Sequence, residues 1–180
     1  IVVVGIGAMG GGMARALLHS DVSSTVVGFD LNEKAVTQFE TEAAQVGKGN
    51  PTNVPLSTFL RDYISESTQV VVLSLVNEEQ CEAVCFENDE SGCLLELLRP
   101  DTCVMMTSTV TATWAKTAGA KFHAKNIHFV DCPVSGGPVR ARQGDLTVMA
   151  SGGAESLQYV EGVLKAIARD GDLHIIQGGA

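Results

Sequence analysis

Short runs of apolar, mostly β-branched residues alternate along the chain with segments in which apolar residues recur at helical spacing. Pairs at i and i+4 between the runs, such as Met13 with Leu17 and Trp114 with Ala118, are typical of helices. Strand and helix in repetition predict a doubly wound α/β fold, with a mainly parallel sheet and helices on both faces. The seven predicted strands are 1–4, 25–29, 70–75, 102–106, 127–130, 146–150 and 173–176.

The length of 180 residues predicts one domain that spans residues 1–180. The stretches 47–55 and 88–92 are polar and contain glycine or proline, so we interpret them as surface loops rather than as linkers.

The acidic balance of the chain, a net charge of −9 with a pI near 4.8, argues against nucleic-acid and anionic-membrane partners. No stretch approaches the ~18 apolar residues that span a bilayer, so we expect a soluble protein. The five cysteines are odd in number and lack paired CxxC spacing, which predicts free thiols and no metal site. Free thiols favour a reducing compartment, so we expect the cytoplasm, with the mitochondrion as the alternative.

The first predicted strand runs into a glycine-rich turn that opens the first predicted helix. In a dinucleotide-binding turn, Gly5 allows the tight bend, Gly7 lets the backbone approach a pyrophosphate, and Gly10 lets helix and strand pack closely. The alternative is a flexible turn without a ligand. The context of strand, turn and helix favours a Rossmann-type, NAD-binding site that contains Gly5, Ile6, Gly7, Ala8, Met9 and Gly10.

An acidic residue at the end of the second predicted strand completes this pattern. Asp30 lies twenty residues beyond Gly10, and its carboxylate suits the hydroxyl groups of the adenosine ribose. It would repel the 2′-phosphate of NADP, and no arginine follows at Leu31 or Asn32, so NAD is favoured over NADP. Alternatively, Asp30 caps the helix that starts near Glu33.

A second block, DCPVSGG at residues 131–137, is continued by Ala141, Gly144 and Thr147. Together with GIGAMG near the start, it resembles the β-hydroxyacid dehydrogenase family, which includes 3-hydroxyisobutyrate, tartronate semialdehyde and L-threonate dehydrogenases. The resemblance covers essentially the whole chain. It implies an enzyme that transfers a hydride between NAD and a small 3-hydroxy acid.

The resemblance also implies roles for single residues. Ser135, Gly136 and Gly137 would bind the substrate, unless they form an ordinary Gly-Gly-Pro turn. In a second group, Ser108 would contact the substrate and Thr109 the cofactor, or the segment 107–113 would only be the start of a helix. A third group, which would flank the adenine and ribose of the cofactor, comprises Leu75, Val76 and Asn77, although Asn77 is also a candidate helix cap.

Two features depart from the family pattern. Cys132 stands where alanine is usual, and Arg140 and Arg142 stand where small residues are usual. The arginines indicate either an unusually acidic substrate or a solvated helical face, and we favour the solvated face.

In the family, a lysine after the last strand acts as the general acid/base, and a helical carboxy-terminal domain completes the substrate site and the oligomer interface. Here the glycine-rich turn begins at Gly178 and the sequence stops at Ala180. We therefore expect an inactive fragment of a homo-oligomeric enzyme, with no catalytic residue in this chain. The alternatives are a 6-phosphogluconate dehydrogenase-like enzyme and a non-catalytic nucleotide-binding module of a larger protein.

Overall fold

The structure, a computed structural model, describes residues 1–23, 25–52, 62–64, 67–87 and 92–176, without the side chains of residues 50–52. Its strands are β1 (Val2–Val4), β2 (Val26–Phe29), β3 (Gly49–Thr52), β4 (Val70–Leu73), β5 (Cys103–Met106), β6 (His128–Asp131), β7 (Val134–Ser135), β8 (Leu146–Gly152) and β9 (Ala168–Ile176). Its helices are α1 (Ala8–His19), α2 (Glu33–Val46), α3 (Glu78–Phe86), α4 (Leu94–Leu97), α5 (Ala112–His123), α6 (Gly137–Arg142), α7 (Ala154–Tyr159) and α8 (Glu161–Ile167).

All described strands belong to one sheet, which is parallel through its first six members in the order β3-β2-β1-β4-β5-β6. The chain winds outward from β1 in one direction and then returns to β4 on the other side. Val3 therefore pairs with Gly28 on one edge and with Val72 on the other. The reversal opens a crevice at the carboxyl ends of β1 and β4, where ligands of such sheets bind.

The last third of the sheet is mixed. β6 and β7 lie in one continuous register along β8 and run antiparallel to it, with Asp131 opposite Ser151 and Ser135 opposite Thr147. β9 lies parallel to β8. The sheet is therefore mainly parallel, as predicted, and β8 and β9 are the described strands that run in the opposite direction, with β8 beside the second sequence motif.

Apolar side chains form two cores, one on each face of the sheet. Alternate residues of the buried strands point to opposite faces, so Val3 and Val72 join the core under α1 and α2, while Val71 joins the core under α3 and α5. In the second core, the rings of Phe122 and Phe129 stack with their centroids 5.7 Å apart. Helices therefore cover both faces, and the predicted fold class is confirmed.

The sequence pattern missed three strand segments. β3 lies inside the predicted loop 47–55, because its sequence GNPT has no apolar run; it pairs only with β2 in the described sheet, and an edge strand tolerates proline. β7 has two residues, and β9 starts five residues before the predicted strand, in the charged segment ARDGD. A register shift there leaves residues 169–172 as a bulge. Residues 53–55 and 88–91 lie outside the described residues.

In the described part of the chain, no helix combines the length and the apolar character needed to cross a membrane.

The close contact between α1 and α6 places the two sequence motifs side by side. A Cβ atom at Gly12 of α1 would lie 2.6 Å from the Cβ atom of Ala141 and 2.9 Å from the backbone nitrogen of Arg142. Because the second contact is with backbone, a larger residue has to push α6 away from α1.

Gly12→Ala is expected to destabilise the protein by about 1–3 kcal/mol, because the added methyl group overpacks the contact between α1 and α6. The matched control is Gly162→Ala in α8, where the new Cβ atom would meet only Val22 Cγ1 at 3.3 Å. That control should be neutral or stabilising by up to about 1 kcal/mol, because alanine favours helices. Urea unfolding measures both variants, and equal stability of Gly12→Ala and wild type would contradict the packing described here.

Candidate functional site

A cleft of about 740 Å³ opens at the carboxyl ends of β1, β2 and β4. Its position is the crevice where the winding of the sheet reverses. The predicted cofactor residues that line it are Gly5, Gly7, Ala8, Met9, Gly10, Asp30, Leu75 and Val76. The cleft therefore joins residues from three separate parts of the sequence.

Different structural constraints account for the glycine at each position of the first turn. Gly5 has a φ of +86°, and a Cβ atom there would lie 2.3 Å from the carbonyl oxygen of Ser74. At Gly10 a Cβ atom would lie 1.8 Å from the carbonyl oxygen of Gly5. A Cβ atom at Gly7 would meet a single described atom, Asp30 Oδ2, at 3.9 Å. Internal packing therefore explains Gly5 and Gly10, whereas Gly7 keeps the surface of the cleft open to a ligand.

The amino terminus of α1 carries unpaired positive character at this surface. Gly7 is the N-cap residue and offers no side-chain hydrogen bond, and the first turn contains no acidic residue. The free N–H groups and the helix dipole favour an anion at this end of the helix.

Asp30 faces this turn from the end of β2. Its Oδ1 accepts a hydrogen bond of 2.8 Å from the Asn32 backbone N–H, while its Oδ2 points towards Gly7. The N-cap of α2 is Asn32, whose side chain accepts from the Lys34 N–H at 3.1 Å, so the alternative that Asp30 caps the helix is wrong. Among the described residues, no basic side chain forms an ion pair with Asp30.

Two apolar side chains stand at the mouth of the cleft. Leu31, after β2, is 75% exposed, and Val76, after β4, is 88% exposed. Both line the cleft, so it is bordered on two sides by apolar surface. Three more lining residues, Gln80, Ala83 and Val84, belong to α3. The sequence analysis missed them, because a helix that contacts a site along one face carries no sequence motif. Ile6 of the predicted turn is 2% exposed and packs in the core instead.

Ser108 connects two loops at the edge of the cleft. It is 5% exposed, and its Oγ accepts a hydrogen bond of 2.7 Å from the Leu75 backbone N–H. Its hydroxyl therefore holds the loop after β4. The neighbouring Thr109 is exposed. Helix α5 is capped by Thr111, which accepts from the Trp114 N–H at 3.2 Å, so the helix start considered for residues 107–113 is confirmed.

Asn77 is the N-cap of α3, where its side chain accepts from the Gln80 N–H at 2.9 Å. The capping role considered for it is thus confirmed. Since Gln80 lines the cleft, this cap also fixes one wall of the site.

The second motif lies next to the first. Ser135 and Gly136 are exposed, and Gly136 and Gly137 adopt φ values of +138° and +77°, which few other residues tolerate. A second cavity, of about 410 Å³, is lined by Gly7 and Ala8 of the first turn and by Pro138 and Arg142 after the second. The fold therefore brings the two motifs together.

The features that depart from the family pattern have structural roles. Cys132 is fully buried in the core, and burial raises the pKa of its thiol well above the ordinary value. Arg140 Nε lies 3.2 Å from Asp145 Oδ2, and Arg142 Nη2 lies 3.6 Å from Glu42 Oε1. Arg140 is half-buried and Arg142 is exposed, which agrees with the solvated face favoured from the sequence, and both arginines form ion pairs there.

Lys165 and Lys121 make contacts away from the cleft. Lys165 is exposed and pairs with Glu161 on α8, and Lys121 lies 3.9 Å above the ring of Phe86. No lysine or histidine occurs among the described residues that line the 740 Å³ cleft. Within the described ranges, no group of three or more metal-ligating side chains is assembled. Gly178 and Ala180 lie outside the described residues.

Comparisons with known proteins agree with this site. The model for the NAD binding domain of 6-phosphogluconate dehydrogenase matches residues 1–178. L-threonate dehydrogenase of Haemophilus influenzae is 33% identical over 168 residues, which cover 93% of this chain and 51% of that protein. NAD-dependent L-serine dehydrogenase of Pseudomonas aeruginosa is 29% identical over 170 residues, which cover 94% of this chain and 52% of that protein.

Solved structures show the same relationship. 3-Hydroxyisobutyrate dehydrogenase from Salmonella typhimurium matches with a TM-score of 0.78 and 31% identity, over 97% of this chain and 54% of that one. The chain thus spans about half the length of the relatives it matches.

The five cysteines, all free and buried, are expected to resist alkylation in the folded protein. Burial raises the pKa of Cys103 to about 12, and it raises the pKa values of Cys81, Cys85 and Cys132. At pH 8 the reactive thiolate is therefore scarce, and iodoacetamide should react at least about tenfold more slowly than with the urea-unfolded chain. Mass spectrometry counts the modified sites. Rapid labelling of Cys132 in the folded chain would contradict its placement in the core.

Proposed function

The chain belongs to the family of the NAD binding domain of 6-phosphogluconate dehydrogenase and is a domain of the β-hydroxyacid dehydrogenases, and from this we propose that its cleft serves hydride transfer between NAD and a small 3-hydroxy acid. One observation carries the proposal. The 740 Å³ cleft lies at the reversal of the sheet and is lined by both the uncapped amino terminus of α1 and the carboxylate of Asp30.

In the proposed complex, the described residues around the cleft each suit one part of NAD. The N–H groups that follow Gly7 suit the pyrophosphate, and Asp30 Oδ2 suits a ribose hydroxyl as hydrogen-bond acceptor. The exposed side chains of Leu31 and Val76 offer apolar contact to the adenine ring. Asn77 and Ser108 act indirectly, because Asn77 caps α3 and Ser108 holds the backbone of Leu75. The exposed Thr109 remains a proposed cofactor contact.

We place the substrate at the second motif. The Ser135 hydroxyl and the N–H groups of Gly136 and Gly137 form an exposed turn that can donate to a carboxylate. The related proteins named for L-threonate, L-serine and 3-hydroxyisobutyrate support a small hydroxy acid as the substrate class. Because Ser108 is buried, we assign it a positioning role rather than direct substrate contact.

The reaction needs two partners for the hydroxyl group. Bound NAD accepts the hydride, and a base has to accept the hydroxyl proton. The described residues that line the cleft contain no lysine or histidine for the second task. We therefore propose that the residues given bind the cofactor and one side of the substrate, and that the base comes from elsewhere.

Asp30→Ala is expected to weaken NAD binding about tenfold, because a charged hydrogen bond to the ribose is lost. The same change should strengthen NADP binding relative to NAD by at least about tenfold, since the repulsion of the 2′-phosphate disappears. Lys34, which lines the adjoining cavity with Asn32 and Gly7, adds positive charge nearby. Isothermal titration calorimetry with both dinucleotides measures the change.

The matched control for Asp30→Ala is Asp21→Ala, which removes an exposed carboxylate after α1, away from the cleft. It should leave both dissociation constants unchanged. Unaltered selectivity in Asp30→Ala would contradict the assignment of this carboxylate to the ribose.

The purified 180-residue chain is expected to bind NAD without reducing it in the presence of L-threonate, 3-hydroxyisobutyrate or glycerate. The reason is that no lysine or histidine among the described residues lines the cleft to accept the hydroxyl proton. NADH absorbance gives the rate, and L-threonate dehydrogenase of Haemophilus influenzae serves as the active control. Steady NADH production by the chain would show that a base is present in it.

A further inference from the structure

Four charged side chains form a cluster behind the turn at residues 135–137. Arg140 Nε lies 3.2 Å from Asp145 Oδ2, and Arg140 Nη2 lies 3.4 Å from Asp172 Oδ2. Arg169 joins the same two carboxylates, with contacts of 3.6 Å to Asp145 Oδ1 and 4.0 Å to Asp172 Oδ2. We call these four residues the arginine–aspartate cluster. It connects α6, the loop before β8, and the bulge of β9.

The cluster lies close to the turn through Arg140. A Cβ atom at Gly136 would lie 3.3 Å from Arg140 Nε, and its other near neighbours would be Arg140 Cβ and the Leu146 side chain. A second link runs through Thr147, which pairs with Ser135 across β7 and β8 and whose hydroxyl donates to Asp172 Oδ2 at 3.5 Å. Two groups bound to Asp172 therefore lie next to the turn, the Arg140 side chain beside Gly136 and Thr147 opposite Ser135.

The charges of the cluster cancel, because two arginines face two aspartates. A neutral cluster adds little net attraction for an anionic substrate, so its effect on the turn is geometric. Such a support matters here, since Gly136 and Gly137 lack side chains of their own and adopt positive φ values. A Cβ atom at Gly137 would meet no described atom within 4 Å.

We propose that Arg140 is a positioning residue that, bound to Asp145 and Asp172, holds the turn at 135–137 in the shape that receives a substrate carboxylate. This inference rests on the function proposed for that turn and adds the residues that fix it. It also gives a reason for the arginine at position 140, because an uncharged side chain there cannot form ion pairs with Asp145 and Asp172.

The test is the mobility of the turn in the purified chain, measured as ¹⁵N order parameters of the Gly136 and Gly137 amides. Wild type should give rigid values near 0.85, and Arg140→Met and Asp172→Asn should each lower them below about 0.6. Arg140→Lys, which keeps the charge, should restore part of the rigidity. Lys165→Met is the matched control, because it removes the Lys165–Glu161 pair on α8 and leaves the cluster intact.

Two titrations separate this inference from the proposed function. Dissociation constants for NAD should stay within about twofold of wild type in all four variants. In a second titration, the shifts of the amides of residues 135–137 report the binding of sodium L-threonate, whose dissociation constant should rise at least about tenfold in Arg140→Met. Absence of any L-threonate shift in wild type would contradict the proposed substrate site, while the order parameters still decide the role of Arg140. Rigid glycines in both Arg140→Met and Asp172→Asn, or mobile ones in wild type, would overturn the inference.

Discussion

The first turn of α1 approaches the end of β1 so closely that a Cβ atom at Gly10 would overlap the carbonyl oxygen of Gly5, at 1.8 Å. The same crowding recurs one strand away, where Gly5 meets the carbonyl oxygen of Ser74 after β4. These backbone contacts fix the amino terminus of α1 over the reversal of the sheet. Its uncapped N–H groups therefore open into the cleft.

The second half of the site depends on α1 as well. Gly12 allows α6 to pack against α1 at backbone distance, and α6 directly follows the turn at residues 135–137. The first motif and the helix that follows the second one, more than a hundred residues apart in the sequence, thus border one cavity. Ion pairs from the last turn of α6, of Arg140 with Asp172 in β9 and of Arg142 with Glu42 in α2, connect this helix to two further elements.

Hydrophobic pattern and glycine spacing were sufficient for the fold class, the covered faces and the part of the cleft formed by the first turn and Asp30, because unbroken apolar runs and a glycine turn between strand and helix leave few alternatives. β3 escaped prediction since its partners, rather than its own polar sequence, make it a strand. The sequence also did not predict side-chain roles that depend on residues far away in the chain. Ser108 was expected at the substrate but binds the backbone of Leu75, and the ion pairs of Arg140 involve β9, whose bulge no periodicity reveals.

The footprint of NAD on the amide spectrum of the chain tests the central claim, that the glycine turn at residues 5–10 and Asp30 form one dinucleotide site. We expect NAD to shift the amides of Gly7, Gly10, Leu31 and Val76 together, with one dissociation constant, and ADP-ribose to reproduce these shifts. Shifts confined to surfaces away from the cleft, or no shifts at all at millimolar NAD, would contradict it.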